Sequence, residues 1–522
     1  MFQSAGVTLD DLGERGRKVA RLGGRQVLLI AADDRLFALA NRCPHEGYPL
    51  SEGTLGPGCV LTCDWHNWKF ELGSGRALVG RDPARVYPVE VRGHEIFVDL
   101  ADPPAERIRD RALDGLAAAM ADDDQARIAR EVARLERAGF DARLALGHAM
   151  ASTSGRLEGG MTHAHAAAAD WLALSARAGS ADERLAALLE PIGHLAWDVL
   201  GAGEFPYPEG VRRWDGPAFL GAMEAEDEAA AQAFVRGALA DGLSYAELRP
   251  WLAAAALAHY ADFGHSAIYV LKAGQLIEQL GEPDTETVVR ALVRQLVFAR
   301  REDRLPEFRG YAKALAEWSP ARSRPLAAED LVGLSVNGVL RRLSASAGRP
   351  PRELYEALVG AAGWNMLHFD AAYDQAAGRT IADNVGWLDF THALTFGSAA
   401  RRLCEESPAL WPNALLQLGL FIGRNRGYVA EQDVGRWRIG GARPFVAAEM
   451  ARLFDHGIPE PIIACHRLKV LFALDDELAA SPDGAWSGVT CAAVNRYLNT
   501  PMKRRHGLRV ARQARAFVAR EG

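Results

Sequence analysis

Two short stretches of this chain have the residue types and spacing for redox-metal chemistry: Cys43-Pro44-His45 and Cys63-Asp64-Trp65-His66. Each offers one thiolate and one imidazole, and 17 residues separate His45 from Cys63. Two thiolates can hold one iron of a [2Fe–2S] cluster while two imidazoles hold the other. The same four donors can also hold a structural zinc ion. Zinc fingers usually group Cys with Cys and His with His, whereas each stretch here gives one of each, so the pattern favours iron and sulfur over zinc.

The surroundings carry a resemblance. Gly47 follows the first pair and Gly53 closes its loop, while Trp68-Lys69-Phe70, Gly73 and Gly75 follow the second. With the C-x-H-x17-C-x2-H spacing, residues 1–103 resemble the Rieske family. That resemblance implies Cys43 and Cys63 on one iron, His45 and His66 on the other, and two ligand loops projecting from a small antiparallel β-structure. Respiratory members of the family carry an extra disulfide-bonded cysteine in each loop. Gly47 and Trp65 occupy those places here, and Cys59 has no counterpart in the first loop. The chain is therefore similar to the ferredoxin and oxygenase branch, with one departure: Asn67 stands where that branch usually has Gly.

The elements that would position these residues can be read from periodicity. Residues 26–30 and 36–39 are apolar runs around Asp33-Asp34, and residues 85–91 and 95–99 flank Arg92-Gly93-His94; both read as hairpins. Two prolines in Ala101-Asp102-Pro103-Pro104 end the β-rich part. Composition then shifts to Ala, Leu, Arg and Glu, and helical apolar spacing recurs over 185–200, 224–239, 248–280, 285–301, 352–377 and 387–405. Asp124 is placed to cap a further helix. The expected architecture is multidomain: a small antiparallel β domain of the Rieske type at 1–103, then a large all-α domain at 104–522. Proline-bearing breaks at 205–209 and 319–325 suggest two sub-bundles within it.

At 522 residues the chain can hold two or three cores. Sixty basic against 67 acidic residues give a net charge of −7, which leaves no footprint for nucleic acid or an anionic membrane. No apolar run is long enough to span a bilayer, and the first residues lack a signal-peptide core. The six cysteines show no disulfide framework. The expectation is a soluble cytoplasmic protein.

Eleven of the 14 histidines lie beyond residue 105. Asp262-Phe263-Gly264-His265 and Asp389-Phe390-Thr391-His392 echo one another. Spacing of i, i+3 sets carboxylate and imidazole on one helical face, and two such helices facing each other build ferritin-like di-iron cores. Asp262, His265, Asp389 and His392 are thus candidates for a second iron site, with Glu224, Glu226, Asp370 and Asp374 as further donors. A buried polar network or unrelated surface pairs would give the same pattern. Rieske oxygenase catalytic subunits use D-x-x-H-x4-H on an α+β fold; Gly397 stands at the second His position, and the helical pattern disagrees.

Gly159-Gly160-Met161-Thr162-His163-Ala164-His165 reads mainly as a helix entry, with His163 or His165 able to face a pocket. This segment is similar to a GG-φ-[ST]-x-H stretch of questin oxidase-like proteins, a helical family linked to oxidative ring cleavage, and residues 256–265 are similar to a second histidine-bearing helix there. Cys465-His466 reads mainly as an ordinary helix edge, with a reactive or ligating pair as the alternative. With no nicotinamide or flavin fingerprint, electrons would come from an external reductase. The expected function is a Rieske-type oxidoreductase passing electrons to oxidative chemistry on a small organic substrate in or near the helical domain. The alternative is a non-catalytic ferredoxin or redox sensor whose helices dock a separate oxygenase.

Overall fold

The computed structural model describes residues 1–379, 384–502 and 507–520. The chain divides into two compact units, Met1–Arg111 and Ala112–Gly522.

The first unit is built from eleven strands among the described residues: β1 (Phe2–Thr8), β2 (Arg17–Leu22), β3 (Arg25–Ala32), β4 (Arg35–Ala40), β5 (Thr54–Gly56), β6 (Val60–Cys63), β7 (Trp68–Glu71), β8 (Ala77–Val79), β9 (Val86–Tyr87), β10 (Val89–Arg92) and β11 (Glu95–Asp99). They form three antiparallel sheets, ordered β1-β11-β10, β2-β3-β4-β9 and β5-β6-β7-β8. The expected hairpins are present. Asp33 and Asp34 both take positive φ between β3 and β4, which suits the right-handed twist of a two-residue turn. The segment 85–91 is not one strand. Pro88 lacks an N–H for a ladder, so the chain breaks there: β9 pairs with β4, and β10 pairs with β11.

β3 explains why this small unit holds together. Its Val27 and Leu29 join a core with Val7, Ile96 and Val98 on one face. Leu28 and Ile30 join a second core on the other face, with Leu39, Leu61, Phe70, Cys43 and Cys63. A strand covered on both faces reads as a continuous apolar run rather than an alternating one. The two ligand-bearing loops, β4–β5 and β6–β7, leave from this second core.

Beyond it the chain is all helical. In place of one helix over 248–280, the structure has Tyr245–Ala258, a turn, and His265–Leu280. Four helices form the centre that matters here: His163–Ser175, His265–Leu280, Trp387–Glu406 and Pro461–Ala480. Each packs on the next, closing a ring in the order His163, His265, Trp387, Pro461 and back. Their sequences suit a central position. Ala164–Ala169 is buried throughout, as are Phe390–Arg401, so these helices are covered all round rather than along one stripe. Among the described residues, no helix is long and apolar enough to cross a membrane.

Candidate functional site

The two loops of the β unit repeat one local design. The Gly47 amide donates to the Cys43 carbonyl at 2.9 Å, and the Asn67 amide donates to the Cys63 carbonyl at 2.9 Å. Both turn residues are left-handed, with φ of +80° and +60°. Asn is among the few residues that enter this region readily, so Asn67 keeps the turn that glycine would make.

These turns bring the four predicted residues together. Cys43 and Cys63 are buried, while His45 and His66 lie nearer the surface. The two imidazole centroids are 4.7 Å apart, edge to face. Trp68 stacks on His45 at 4.7 Å, and Trp65 covers His66 at 4.6 Å. Burial pushes the Cys43 thiol up to about 11, with the adjacent Cys63 thiol adding to it, while the His45 and Glu46 amides pull it down. A thiol held protonated in this way becomes a thiolate when a metal takes the proton's place. His45 Nδ1 is buried and has no hydrogen-bond partner among the described residues. Two thiols, an orphaned ring nitrogen and a second imidazole on two adjoining loops are the donor set that a [2Fe–2S] cluster of this type requires. Cys59 stands apart, its Sγ donating to Asp33 Oδ2 at 3.2 Å.

With this geometry in place, comparison with known proteins is decisive. The Rieske [2Fe-2S] domain family matches residues 7–90. The chain belongs to the Rieske family. The ferredoxin component of the alkene monooxygenase system of Xanthobacter autotrophicus is 32% identical over 102 residues, covering 19% of this chain and 81% of that protein. The 3-phenylpropionate/cinnamic acid dioxygenase ferredoxin subunit of Escherichia coli K12 is 35% identical over 78 residues, covering 15% of this chain and 74% of the relative. Among solved structures, the ferredoxin of carbazole 1,9a-dioxygenase from Nocardioides aromaticivorans is 28% identical, covering 19% of this chain and 96% of that one, with a TM-score of 0.18. The Rieske domain brings a [2Fe–2S] cluster. None of these three relatives covers more than a fifth of this chain, so the helical unit must be read from its own residues.

There, four histidines converge: His163, His265, His392 and His466, one from each helix of the central ring, with their ligand nitrogens all within 4.8 Å of one another. Ring centroids are 4.7 Å apart for His163–His265, 4.5 Å for His265–His392, 5.1 Å for His392–His466 and 4.9 Å for His466–His163. His265 Nε2 lies 2.9 Å from both His163 Nε2 and His392 Nε2. On the outer side, Nδ1 donates to a backbone carbonyl in three of the four: His265 to Asp262 at 2.5 Å, His392 to Leu388 at 2.5 Å, and His466 to Ile462 at 2.6 Å. The Tyr269 hydroxyl stands 3.4 Å from His163 Nδ1. Burial lowers all four rings, His265 and His392 to about 3 and His163 and His466 well below the usual imidazole range.

Of the four residues expected at a second iron site, the structure brings two together. His265 and His392 do meet, but their carboxylate companions do not join them. The Asp262 carbonyl, not its carboxylate, takes His265 Nδ1, which turns Nε2 away; the carboxylate accepts from Gln295 Nε2 at 3.1 Å. Asp389 is the third residue of its helix. Its carboxylate returns to the Gly386 amide at 2.9 Å and pairs with Arg424 at 2.8 Å. Glu224 pairs with His259 at 2.6 Å, and Asp370 receives the Ala372 amide. Glu226, 3.7 Å from Arg304, and Asp374 also lie outside the histidine group.

The two histidines that join His265 and His392 instead are His163 and His466. His165, two residues from the first, closes the helix entry, where its Nδ1 accepts from the Thr162 amide at 3.3 Å. Burial of the following Ala run places His163 on the inner surface, and that run was the available signal. His466 lies within Ala464–Val470, almost all of it buried, and so is no helix edge.

The backbone also marks the site. Asp262, Phe263 and Gly264 have φ of +48°, +51° and +78° in succession, immediately before His265. Left-handed non-glycine residues cost free energy and persist only where the surroundings fix them. Here the Asp262 amide donates to the Arg300 carbonyl at 2.7 Å and the Phe263 amide to Glu302 at 3.2 Å. Arg424 lies over the Phe263 ring at 4.7 Å.

Proposed function

We propose that this chain is a Rieske-type oxidoreductase that receives electrons from a separate reductase and supplies them to oxidative chemistry on a small organic substrate in the helical unit. Cys43 and Cys63 would hold one iron and His45 and His66 the other. The cluster, when bound, carries one electron at a time. The chain's own residues do the rest. The two left-handed turns at Gly47 and Asn67 fix the ligand loops, and the β-core keeps water from the thiolates. Trp65 and Trp68 shield the imidazole faces.

The observation that carries this reading is the meeting of the paired Cys/His loops, His45 against His66 and Cys43 beside Cys63, with an orphaned His45 Nδ1. That two relatives are ferredoxin components of oxygenase systems supports the direction of electron flow. Six unpaired cysteines support a reducing compartment, and we place the protein in the cytoplasm. The test uses full-length protein purified without oxygen. It should contain two acid-labile sulfides per chain, show the electron paramagnetic resonance signal of a reduced Rieske cluster, and accept electrons from a flavin-dependent reductase. Cys63→Ala should lose iron and sulfide together, and Cys59→Ala should keep both. Sulfide-free wild-type protein, or a Cys63→Ala variant that retains its cluster, would refute the reading.

A further inference from the structure

We propose that His163, His265, His392 and His466 bind a single iron ion, and that this ion is the electron acceptor of the Rieske cluster. The proposal deepens the function given above and rests on it for the electron donor, but its argument comes from the histidine ring itself.

Four imidazoles meet at one centre, their nitrogens all within 4.8 Å of one another. His265 and His392 each donate from Nδ1 to a backbone carbonyl, which turns Nε2 inward. Those two Nε2 atoms face each other at 2.9 Å, a spacing that one shared cation satisfies. His466 has the same outer bond, and its buried Nε2 has no partner among the described residues. A fixed outer N–H on a backbone carbonyl, with the opposite nitrogen turned to a common centre, is how metal-binding histidines are held.

Spacing limits the geometry. With metal–nitrogen bonds of about 2.05 Å, neighbouring ligands at right angles lie about 2.9 Å apart, whereas tetrahedral ones lie about 3.3 Å apart. Both Nε2 separations at His265 are 2.9 Å. Structural zinc sites are built with thiolates, and this group holds none, which suits a site with further positions open to another ligand. Imidazole donors suit iron, copper, nickel and zinc, and accepting single electrons restricts the choice to redox-active ions. In the transfer the cluster loses one electron and the ion passes from Fe(III) to Fe(II).

The ligands also specify what joins the ion. All four are imidazoles, which ligate in the neutral form, and among the described residues no carboxylate belongs to the group. Lys469, one turn beyond His466, is buried, and its Nζ has no partner among the described residues. A divalent ion here retains its positive charge, so the open positions favour a small anionic ligand.

The test is metal analysis of anaerobically purified full-length protein. Wild type should hold three irons per two sulfides. His392→Ala and His466→Ala should each hold two irons with the reduced-cluster signal unchanged, and His165→Ala should hold three. Metal-stripped wild type offered Co(II) should take up two equivalents, one at the Cys/His set with thiolate-to-metal bands and one without them whose ligand-field bands shift on adding azide; this arm does not depend on any variant folding. Two irons in wild type together with no azide-sensitive Co(II) bands would overturn the site. One equivalent of zinc or copper in place of the third iron would overturn the metal. Absence of sulfide would instead count against the Rieske reading and leave the histidine site standing.

Discussion

Gly264→Ala is a sharp test of how the fold delivers His265 to the centre of the helical ring. Gly264 has φ of +78°, and a Cβ there would lie 2.6 Å from the Phe396 ring. A side chain in left-handed backbone costs about 1–2 kcal/mol. Phe396 is fully buried and cannot swing aside, so overpacking adds about 1–3 kcal/mol. The expected loss is about 2–5 kcal/mol. Urea unfolding followed by far-ultraviolet circular dichroism reads it, because the helical signal comes from the second unit. Gly221→Ala is the matched control. Gly221 is exposed within the helix Gly216–Glu224, with no atom within 4 Å of a Cβ, so alanine there should stabilise by about 0.5–1 kcal/mol. If both variants shift stability alike, or if Gly264→Ala is neutral, the left-handed turn does not hold His265 in the way described.

Other consequences follow from single contacts. The Glu302 carboxyl is raised from 4.5 to about 7 by burial. The folded state thus holds a proton that the unfolded state releases between those values, and stability falls as pH rises through that window. Glu302→Gln should therefore stabilise the protein by about 3 kcal/mol at pH 8 and do little at pH 4, in paired urea melts. An unchanged difference between the two pH values would contradict this. His165→Ala removes the acceptor for the Thr162 amide and should cost about 1 kcal/mol, as lost helix caps do, while leaving the metal content intact. Asn67→Val should lower cluster occupancy, since a β-branched residue resists φ of +60°, whereas Asn67→Gly should retain it; the visible absorbance of the cluster measures both.

The β unit was legible because its determinants are local. Each Cys/His pair spans three or four residues, and the turn that closes it is formed within the next two. The helical centre was only half legible, for two reasons that can be named. The Asp-x-x-His echo is real in sequence, but an i, i+3 pair shares a face only on regular helix, and Asp262 lies on left-handed backbone before the helix begins. Asp389 does lie on helix, yet so near its start that the free N–H groups and Arg424 claim its carboxylate. His163 and His466 join through packing between segments some three hundred residues apart, which no local spacing records. Their neighbours offered nearer roles: His165 as a cap and Cys465 as a buried thiol.

Electron flow from the Rieske cluster to the four-histidine centre is tested most directly by a rate. Anaerobically reduced full-length protein is mixed rapidly with oxygen, and its reoxidation is followed at the cluster absorbance. Wild type should reoxidise at least about tenfold faster than His265→Ala or His392→Ala, with the cluster fully reducible in all three. Equal rates in the three proteins would contradict transfer to this centre.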